Sequence, residues 1–343
     1  MKGLIFLGGR QIELADVADP TPDLGEVVVQ IKASGMCGSD LHPYRAAYDP
    51  SIPVEKRVIG GHEPCGIVAA VGAGVPEHVA RIGDRVMVHH YFGCTTCRHC
   101  RTGWPQLCLP ATRITYSATA HGAHAPYMKV AAATLLPLHE SLSFEAGAAI
   151  SCGTGTAWGA LERLQPSGDE TIAVFGQGPV GLSATLLASA RGCRVIAVDL
   201  DEDRLNLAKT FGADVTLNAK SVNVPEALRD LTDGRGVEMV VETSGSSEAA
   251  QAGLNGTAVW GKVCLVGIGG KISVETKAFL DRQVTVMTSY TMSTVGQQEC
   301  AEFIVSRNLN VDRLFTHRWN LSEAEEAYRV LDAQSSGKGV FLF

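Results

Sequence analysis

The sequence predicts an α/β protein in two parts: a β-rich domain, and a doubly wound parallel sheet covered by helices on both faces. Three observations carry this. The chain has 343 residues, more than one hydrophobic core usually serves. Its texture changes near residue 150, from short strand-like segments broken by turns to a long alternation of apolar runs and helical patterns. Hydrophobic residues make up 45% and charged residues 19%, and 37 glycines are scattered along the chain. That composition supplies real cores and many tight strand–helix turns, not disorder or a low-complexity tract.

The elements follow in order. Residues 1–150 carry the strand-like stretches EVVVQIKAS, PCGIVAAV, DRVMVHH and YMKVAAA, separated by turns such as GAGVPEH and IGD. From 151 to 290 the strands TIAVFG, RVIAVD, DVTLNA, VEMVVETS, GKVCLVGI and TVMTSY alternate with helical patterns such as PVGLSATLLASARG and DEDRLNLAKTFG. Near-continuous Val/Ile runs between helices are the mark of a parallel sheet buried on both sides. Residues 291–343 add two helical patterns, GQQECAEFIVSR and SEAEEAYRVL, and a last strand, GVFLF. A six-stranded sheet has no use for them, so they are expected to return to the first domain.

Charge excludes some functions. A formal net charge of -7 argues against nucleic acid or an anionic membrane as partner. No window approaches the roughly 20 apolar residues of a membrane span. The apolar stretch in MKGLIFLGGRQIELADV is too short for the core of a signal peptide. The expectation is a soluble, cytoplasmic protein.

GQGPVG places Gly176, Gly178 and Gly181 in a G-x-G-x-x-G pattern between a strand and a helix, and Asp199 ends the next strand. Gly176 permits a tight turn, Gly178 lets backbone approach a pyrophosphate, and Gly181 allows close helix–sheet packing. Pro179 and Val180 open the helix, whose N-terminal N–H groups and dipole suit phosphate. Asp199 accepts hydrogen bonds from ribose hydroxyls and repels a 2'-phosphate, which selects NAD over NADP. Arg204, one turn into the next helix, is placed to pack on the adenosine.

YFGCTTCRHCRTGWPQLC holds Cys94, Cys97, Cys100 and Cys108. The spacing alone suits a disulfide framework, a metal site or a reactive centre. In a reducing cytosol, metal or catalysis is favoured. Cys193, Cys264 and Cys300 stand apart from any His or Cys and read as small buried hydrophobes, and Cys65 reads as a packed thiol. ASGMCGSDLH supplies Cys37, Ser39, Asp40 and His42; GGHEPCG supplies His62 and Glu63; SCGTGTAWGA supplies Cys152 and Thr156. Cys37, His62 and Cys152 are ligand types suited to zinc, and three protein ligands with one open position is the catalytic arrangement.

In chain order, CGSDLH, GGHEPCG, GDRV, the four-cysteine stretch, SCGTGTAWGA, GQGPVG and Asp199 resemble the zinc-containing medium-chain dehydrogenase/reductase family, alcohol dehydrogenase branch, over essentially the whole chain. The resemblance implies a GroES-like catalytic domain interrupted by a Rossmann domain. It implies two zinc ions per chain: a structural one on Cys94, Cys97, Cys100 and Cys108 in a lobe at about 91–110, with His99 a bystander, and a catalytic one on Cys37, His62 and Cys152. Glu63 would sit beside the catalytic zinc or ligate it transiently when water exchanges, and Asp40 would orient a ligating imidazole. Ser39 would hydrogen-bond the substrate oxygen, and His42 would receive its proton at the solvent edge through the nicotinamide ribose. Thr156 and Gly267 join the cofactor site. The implied reaction is hydride transfer between a primary or secondary alcohol and NAD, in a homodimer or homotetramer joined near Val284–Tyr290. Two alternatives are a polyol, diol or amino-alcohol (threonine-like) dehydrogenase and a non-catalytic NAD-binding zinc protein.

One departure stands out. The chain ends GKGVFLF, with Phe341 where many relatives carry an Arg for the pyrophosphate, so the expectation is that Lys338 or backbone groups take that load, or that the cofactor binds somewhat more weakly. The substrate pocket is expected to draw on the stretch PYRAAYDPSIPVEKRV and on residues near Trp104, Tyr116 and Tyr290.

Overall fold

The structure, a computed structural model, describes residues 1–333 and 337–343. The chain divides into two compact units, one of residues 1–152 with 293–343, the other of residues 153–292.

The first unit is built on a seven-stranded sheet. Its order is Phe315–Trp319, Lys338–Leu342, Glu26–Gly35, Glu63–Val71, Arg85–Val88 and Leu135–Pro137, with Tyr127–Ala131 pairing beside Glu26–Gly35. Alternation explains one face: Val27, Val29 and Ile31 point together into a core with Val68, Val86, Val88, Met128 and Val130. The last strand runs antiparallel to Glu26–Gly35, pairing Val340 with Gly35 and Leu342 with Ala33. A second core holds Phe6, Tyr44, Tyr328 and Phe341. Ser143 caps the helix Phe144–Ile150, its hydroxyl accepting from the N–H of Ala146, and that helix delivers the chain to Cys152.

The second unit is a six-stranded sheet in the order Val215–Asn218, Arg194–Asp199, Thr171–Phe175, Val237–Glu242, Thr257–Leu265 and Thr285–Thr288. Every neighbouring pair is parallel, so the strands run 3-2-1-4-5-6 in sequence order, the doubly wound arrangement of a Rossmann domain. Its helices start where short polar side chains accept orphan N–H groups: Asp201 before Glu202–Thr210, Asn223 before Val224–Asp230 and Ser246 before Ser247–Gly256. Helices on both faces require strands apolar throughout, and Thr171–Phe175 is buried at every position. Cys193, Cys264 and Cys300 are buried.

Candidate functional site

Cys37, His62, Glu63 and Cys152 meet within the first unit, each with a ligand atom within 4.8 Å of the others'. Sequence places them on three segments. Cys37 follows the strand Glu26–Gly35 and opens a short helical turn, His62 and Glu63 begin the strand Glu63–Val71, and Cys152 follows the helix Phe144–Ile150. Ser151 ties the last of these down, its hydroxyl donating to the carbonyls of Pro64 and Gly147 at 2.9 Å.

Asp40, 3% exposed, organises two of the four. Its Oδ2 accepts from the N–H of Cys37 at 2.9 Å, and its Oδ1 lies 2.9 Å from His62 Nδ1. A carboxylate acceptor puts the proton on Nδ1 and leaves the Nε2 lone pair for a metal. Ser39 Oγ sits 3.1 Å from that Nε2 and donates to Cys37 Sγ at 3.3 Å. His42 is exposed on the short helix Leu41–Arg45.

The two thiols are 3.9 Å apart and share a proton: the hydrogen bond from Cys152 holds the Cys37 thiol well below its ordinary range, and Cys152 is pushed up correspondingly. Burial opposes charge on His62, yet Asp40 and Cys37 raise it well above the usual imidazole value. Two thiols, an oriented imidazole and a carboxylate crowded this closely fit a divalent metal, which would neutralise them together. Glu63 Oε1 is buried with no hydrogen bond among the described residues.

Lys338 corrects one expectation. Its side chain is 2% exposed, its Nζ is 2.5 Å from Glu63 Oε2, and it donates to the carbonyl of Met36 at 2.9 Å. Buried and committed to these partners, it is not available to a pyrophosphate. Burial pushes the Glu63 carboxyl up to about 8, with Lys338 restraining the rise. Removing Glu63 would strand the buried Lys338 charge, at a cost of about 3–5 kcal/mol. Gly35 makes room for the pair, because a Cβ there would collide with Glu63 Oε2. Phe341 is fully buried in the core with Tyr328.

Two further residues depart from expectation. Tyr116 does not line a pocket: it is 3% exposed in the first unit's core, and its hydroxyl accepts from the N–H of Ala131. His90, which sequence reasoning passed over, is buried with its ring 5.2 Å from that of His62. Burial and the neighbouring His62 and His89 hold it well below the ordinary imidazole value, so it is neutral. The only signal was its place at the end of DRVMVHH, just before the four-cysteine stretch.

Cys94, Cys97, Cys100 and Cys108 form a second cluster whose sulfurs lie within 4.8 Å of one another, and all four are free thiols. Backbone N–H groups point at the sulfurs: Cys94 N–H to Cys108 at 3.3 Å, Cys97 N–H to Cys94 at 3.3 Å and Cys100 N–H to Cys97 at 3.5 Å. Such bonds stabilise thiolate, and hydrogen bonds from Thr96 and Cys97 bring Cys94 down to about 5. Gly93 completes the cradle, since a Cβ there would press on Cys100 Sγ at 2.4 Å. Four thiols with no further ligand fit a closed tetrahedral zinc site.

In the second unit, Gly176 takes a left-handed φ of +83°, turning the chain at the end of Thr171–Phe175. A Cβ on Gly181 would strike Gly176 O, whereas one on Gly178 would meet nothing within 4 Å. The middle glycine thus faces open space at the N-terminus of Pro179–Ala190, with Pro179 in the first turn and Val180 half-buried beside it. Asp199 lies alongside, its Oδ2 accepting from Gln177 N–H at 2.5 Å and its Oδ1 from Leu200 N–H at 2.7 Å. Gly267 packs against Gly245 and Glu242 past the end of Thr257–Leu265. Thr156 is buried in the helix Gly153–Leu164, and Arg204 N–H donates to the capping Asp201. The loop, helix N-terminus and carboxylate fit a dinucleotide.

Comparison with known proteins agrees with this geometry. Residues 23–140 match the alcohol dehydrogenase GroES-like domain, and residues 179–307 match the zinc-binding dehydrogenase domain. An uncharacterized zinc-type alcohol dehydrogenase-like protein of Escherichia coli is 36% identical over 98% of this chain and 97% of its own. Sorbitol dehydrogenase of Bacillus subtilis is 32% identical over 95% and 92%. Among solved structures, an alcohol dehydrogenase from Thermus sp. ATN1 superposes with a TM-score of 0.90 at 27% identity, over 100% of this chain and 99% of the other. The chain belongs to the zinc-containing medium-chain dehydrogenase/reductase family, oxidoreductases that work with zinc and a nicotinamide dinucleotide.

Proposed function

We propose that this protein transfers hydride between a primary or secondary alcohol and NAD, giving an aldehyde or ketone. The observation that carries the reading is the cluster of Cys37, His62 and Cys152, with Glu63 drawn to Lys338. Three ligands are thereby offered to a metal and a fourth position is left for substrate. Zinc in that place supplies a Lewis acid that makes an alcohol hydroxyl far more acidic, and NAD supplies the hydride acceptor.

The chain's own residues do the rest. Asp40 fixes the His62 tautomer and steadies Cys37 through its N–H. Ser39, beside both ligands, holds the substrate hydroxyl and passes on its proton. His42, exposed on its short helix, delivers the proton to solvent. Gly176, Gly178 and Gly181 seat the pyrophosphate, and Asp199 takes the adenosine ribose. Cys94, Cys97, Cys100 and Cys108 bind a structural zinc that organises their loop.

A polyol substrate is the second reading, favoured by the 32% identity to a sorbitol dehydrogenase. The test is an NAD-linked screen over primary, secondary, aromatic and polyol alcohols, with zinc content measured in parallel. The expected result is two zinc per chain, turnover abolished by chelation, and poor use of NADP because Asp199 opposes a 2'-phosphate. One zinc per chain and no turnover on any alcohol would instead favour a non-catalytic NAD-binding protein.

A further inference from the structure

The loop GQGPVG buries its one polar side chain. Gln177 lies between Gly176 and Gly178 yet is only 1% exposed. Its Nε2 donates to the carbonyl of Val174 at 2.8 Å, and its Oε1 accepts from the hydroxyl of Thr185 at 3.0 Å. Val174 belongs to the strand Thr171–Phe175, and Thr185, fully buried, sits in the helix Pro179–Ala190. The amide therefore pins the loop to the strand that enters it and to the helix that leaves it. The backbone of the same residue has a different partner. The N–H of Gln177 donates to Asp199 Oδ2 at 2.5 Å, while the N–H groups of Leu200 and Asp201 hold Oδ1 at 2.7 and 3.1 Å. The carboxylate is thus gripped at both oxygens, and only Gln177 grips Oδ2 from outside its own segment.

We propose that Gln177 is a positioning residue that aims Asp199 at the adenosine ribose and so sets the preference for NAD over NADP. This rests on the NAD-dependent reading given above. The C=O of Gly176 and the N–H of Gln177 belong to one rigid peptide unit and turn together. Gly176, at φ +83°, has no side chain to resist such a turn. The resistance comes from the Thr243 hydroxyl, 2.9 Å from Gly176 O, and from the buried Gln177 amide. That hydroxyl is also 2.9 Å from the carbonyl of Phe175, and its single proton is shared between the two. The amide makes up the restraint. With it, the N–H stays on Oδ2 and the half-buried carboxylate keeps its direction. Without it, the peptide is free to turn, Oδ2 loses its donor, and the carboxylate swings toward solvent. A ribose then loses its acceptor and a 2'-phosphate loses a repelling charge, so the two cofactors converge in affinity.

The test is calorimetric binding of NAD and of NADP to the zinc-loaded protein, with no substrate present, so that turnover does not enter the measurement. The wild type is expected to bind NAD more tightly than NADP. Gln177→Leu keeps the bulk of the side chain but makes neither bond, and the ratio of the two dissociation constants is expected to fall by about 10-fold, the worth of a hydrogen bond to a charged group. Thr185→Val removes only the hydroxyl that holds the amide. It should move the ratio the same way by a smaller factor, and it carries the test if Gln177→Leu does not fold. Because Gln177 acts through Asp199, its effect on the ratio should vanish in an Asp199→Ala background. A purely structural role weakens both cofactors alike. An unchanged ratio in Gln177→Leu and Thr185→Val, or a change that persists in Asp199→Ala, would overturn the assignment and leave the NAD reading standing. A wild type that binds NADP as tightly as NAD would overturn the NAD reading, and the role of Gln177 with it.

Discussion

Asp40 spends one carboxylate on two jobs, holding the Cys37 backbone and setting the His62 tautomer. The thiols around it differ in what their loss should do. Cys152 lies in the mixed cluster on segments anchored by the main sheet, whereas Cys100 lies in an all-thiol cluster on a loop of short turns. Cys152→Ser replaces a thiolate with a poor neutral ligand, so turnover should fall by more than about 100-fold, the upper end of what losing a mere ligand-orienting partner costs. Its melting temperature should change little. Cys100→Ser opens a closed site and should lower Tm by roughly 5–10 °C, the effect of a few kcal/mol on a protein of this size. Zinc content, melting and NAD-linked turnover on both variants decide it. Full activity in Cys152→Ser, with a stable but inactive Cys100→Ser, would exchange the two assignments.

Between elements, His124 acts as a buried strap. Its Nδ1 is 2.8 Å from Ser34 Oγ on the strand Glu26–Gly35, and its Nε2 is 2.7 Å from the Tyr328 hydroxyl on the helix Ala324–Asp332. Gly61, at φ +85°, lets the chain pass over the ring, where a Cβ would sit 2.4 Å from Nδ1. Burial lowers the ring's pKa to about 4, so the folded protein holds it neutral. The unfolded chain binds that proton near pH 6.5, so stability rises with pH across this interval. The contribution is whole above pH 6.5 and is lost as pH falls toward 4, amounting to about 3 kcal/mol. His124→Gln has no such proton to bind. Its stability deficit against the wild type, read by urea unfolding, should shrink steadily from pH 7 to pH 4. A deficit constant over that range would mean that His124 does not titrate as described.

For the whole molecule, the exposed edge of the second unit is the feature to explain. Thr285–Thr288 pairs with Thr257–Leu265 on one side only, with Val286 exposed in the strand and Tyr290 exposed just beyond it. Trp260 and Val259, on the adjoining strand, are exposed as well. A bare edge with apolar side chains invites strand pairing, and pairing across a two-fold axis satisfies it. We expect a homodimer or homotetramer joined along Val284–Tyr290. Sedimentation at micromolar concentration should show a multiple of 36.3 kDa, and Val286→Pro, which removes an edge N–H, should shift the population toward monomer. A wild-type mass equal to one chain would end the idea.

The sequence by itself determined what short-range pattern encodes. Unbroken apolar strands between capped helices require a parallel sheet, and the spacing in GQGPVG sets a turn whose three glycines meet three different steric demands. The four-cysteine stretch is also local, its sulfurs gathered within one loop by N–H bonds from neighbouring residues. Tertiary structure alone decided the rest. Lys338 reads as a free basic residue near the chain's end, but the antiparallel pairing of the last strand with Glu26–Gly35 buries it against Met36, 302 residues away. Tyr116 reads as a pocket aromatic and is core, because its hydroxyl finds the N–H of Ala131. His90 is one half of an unremarkable His-His pair until the fold sets its ring beside His62 and its Nδ1 on the Ser151 carbonyl. A side chain's spacing along the chain specifies its own element, whereas its charge state and free lone pairs depend on whichever distant segment packs against it.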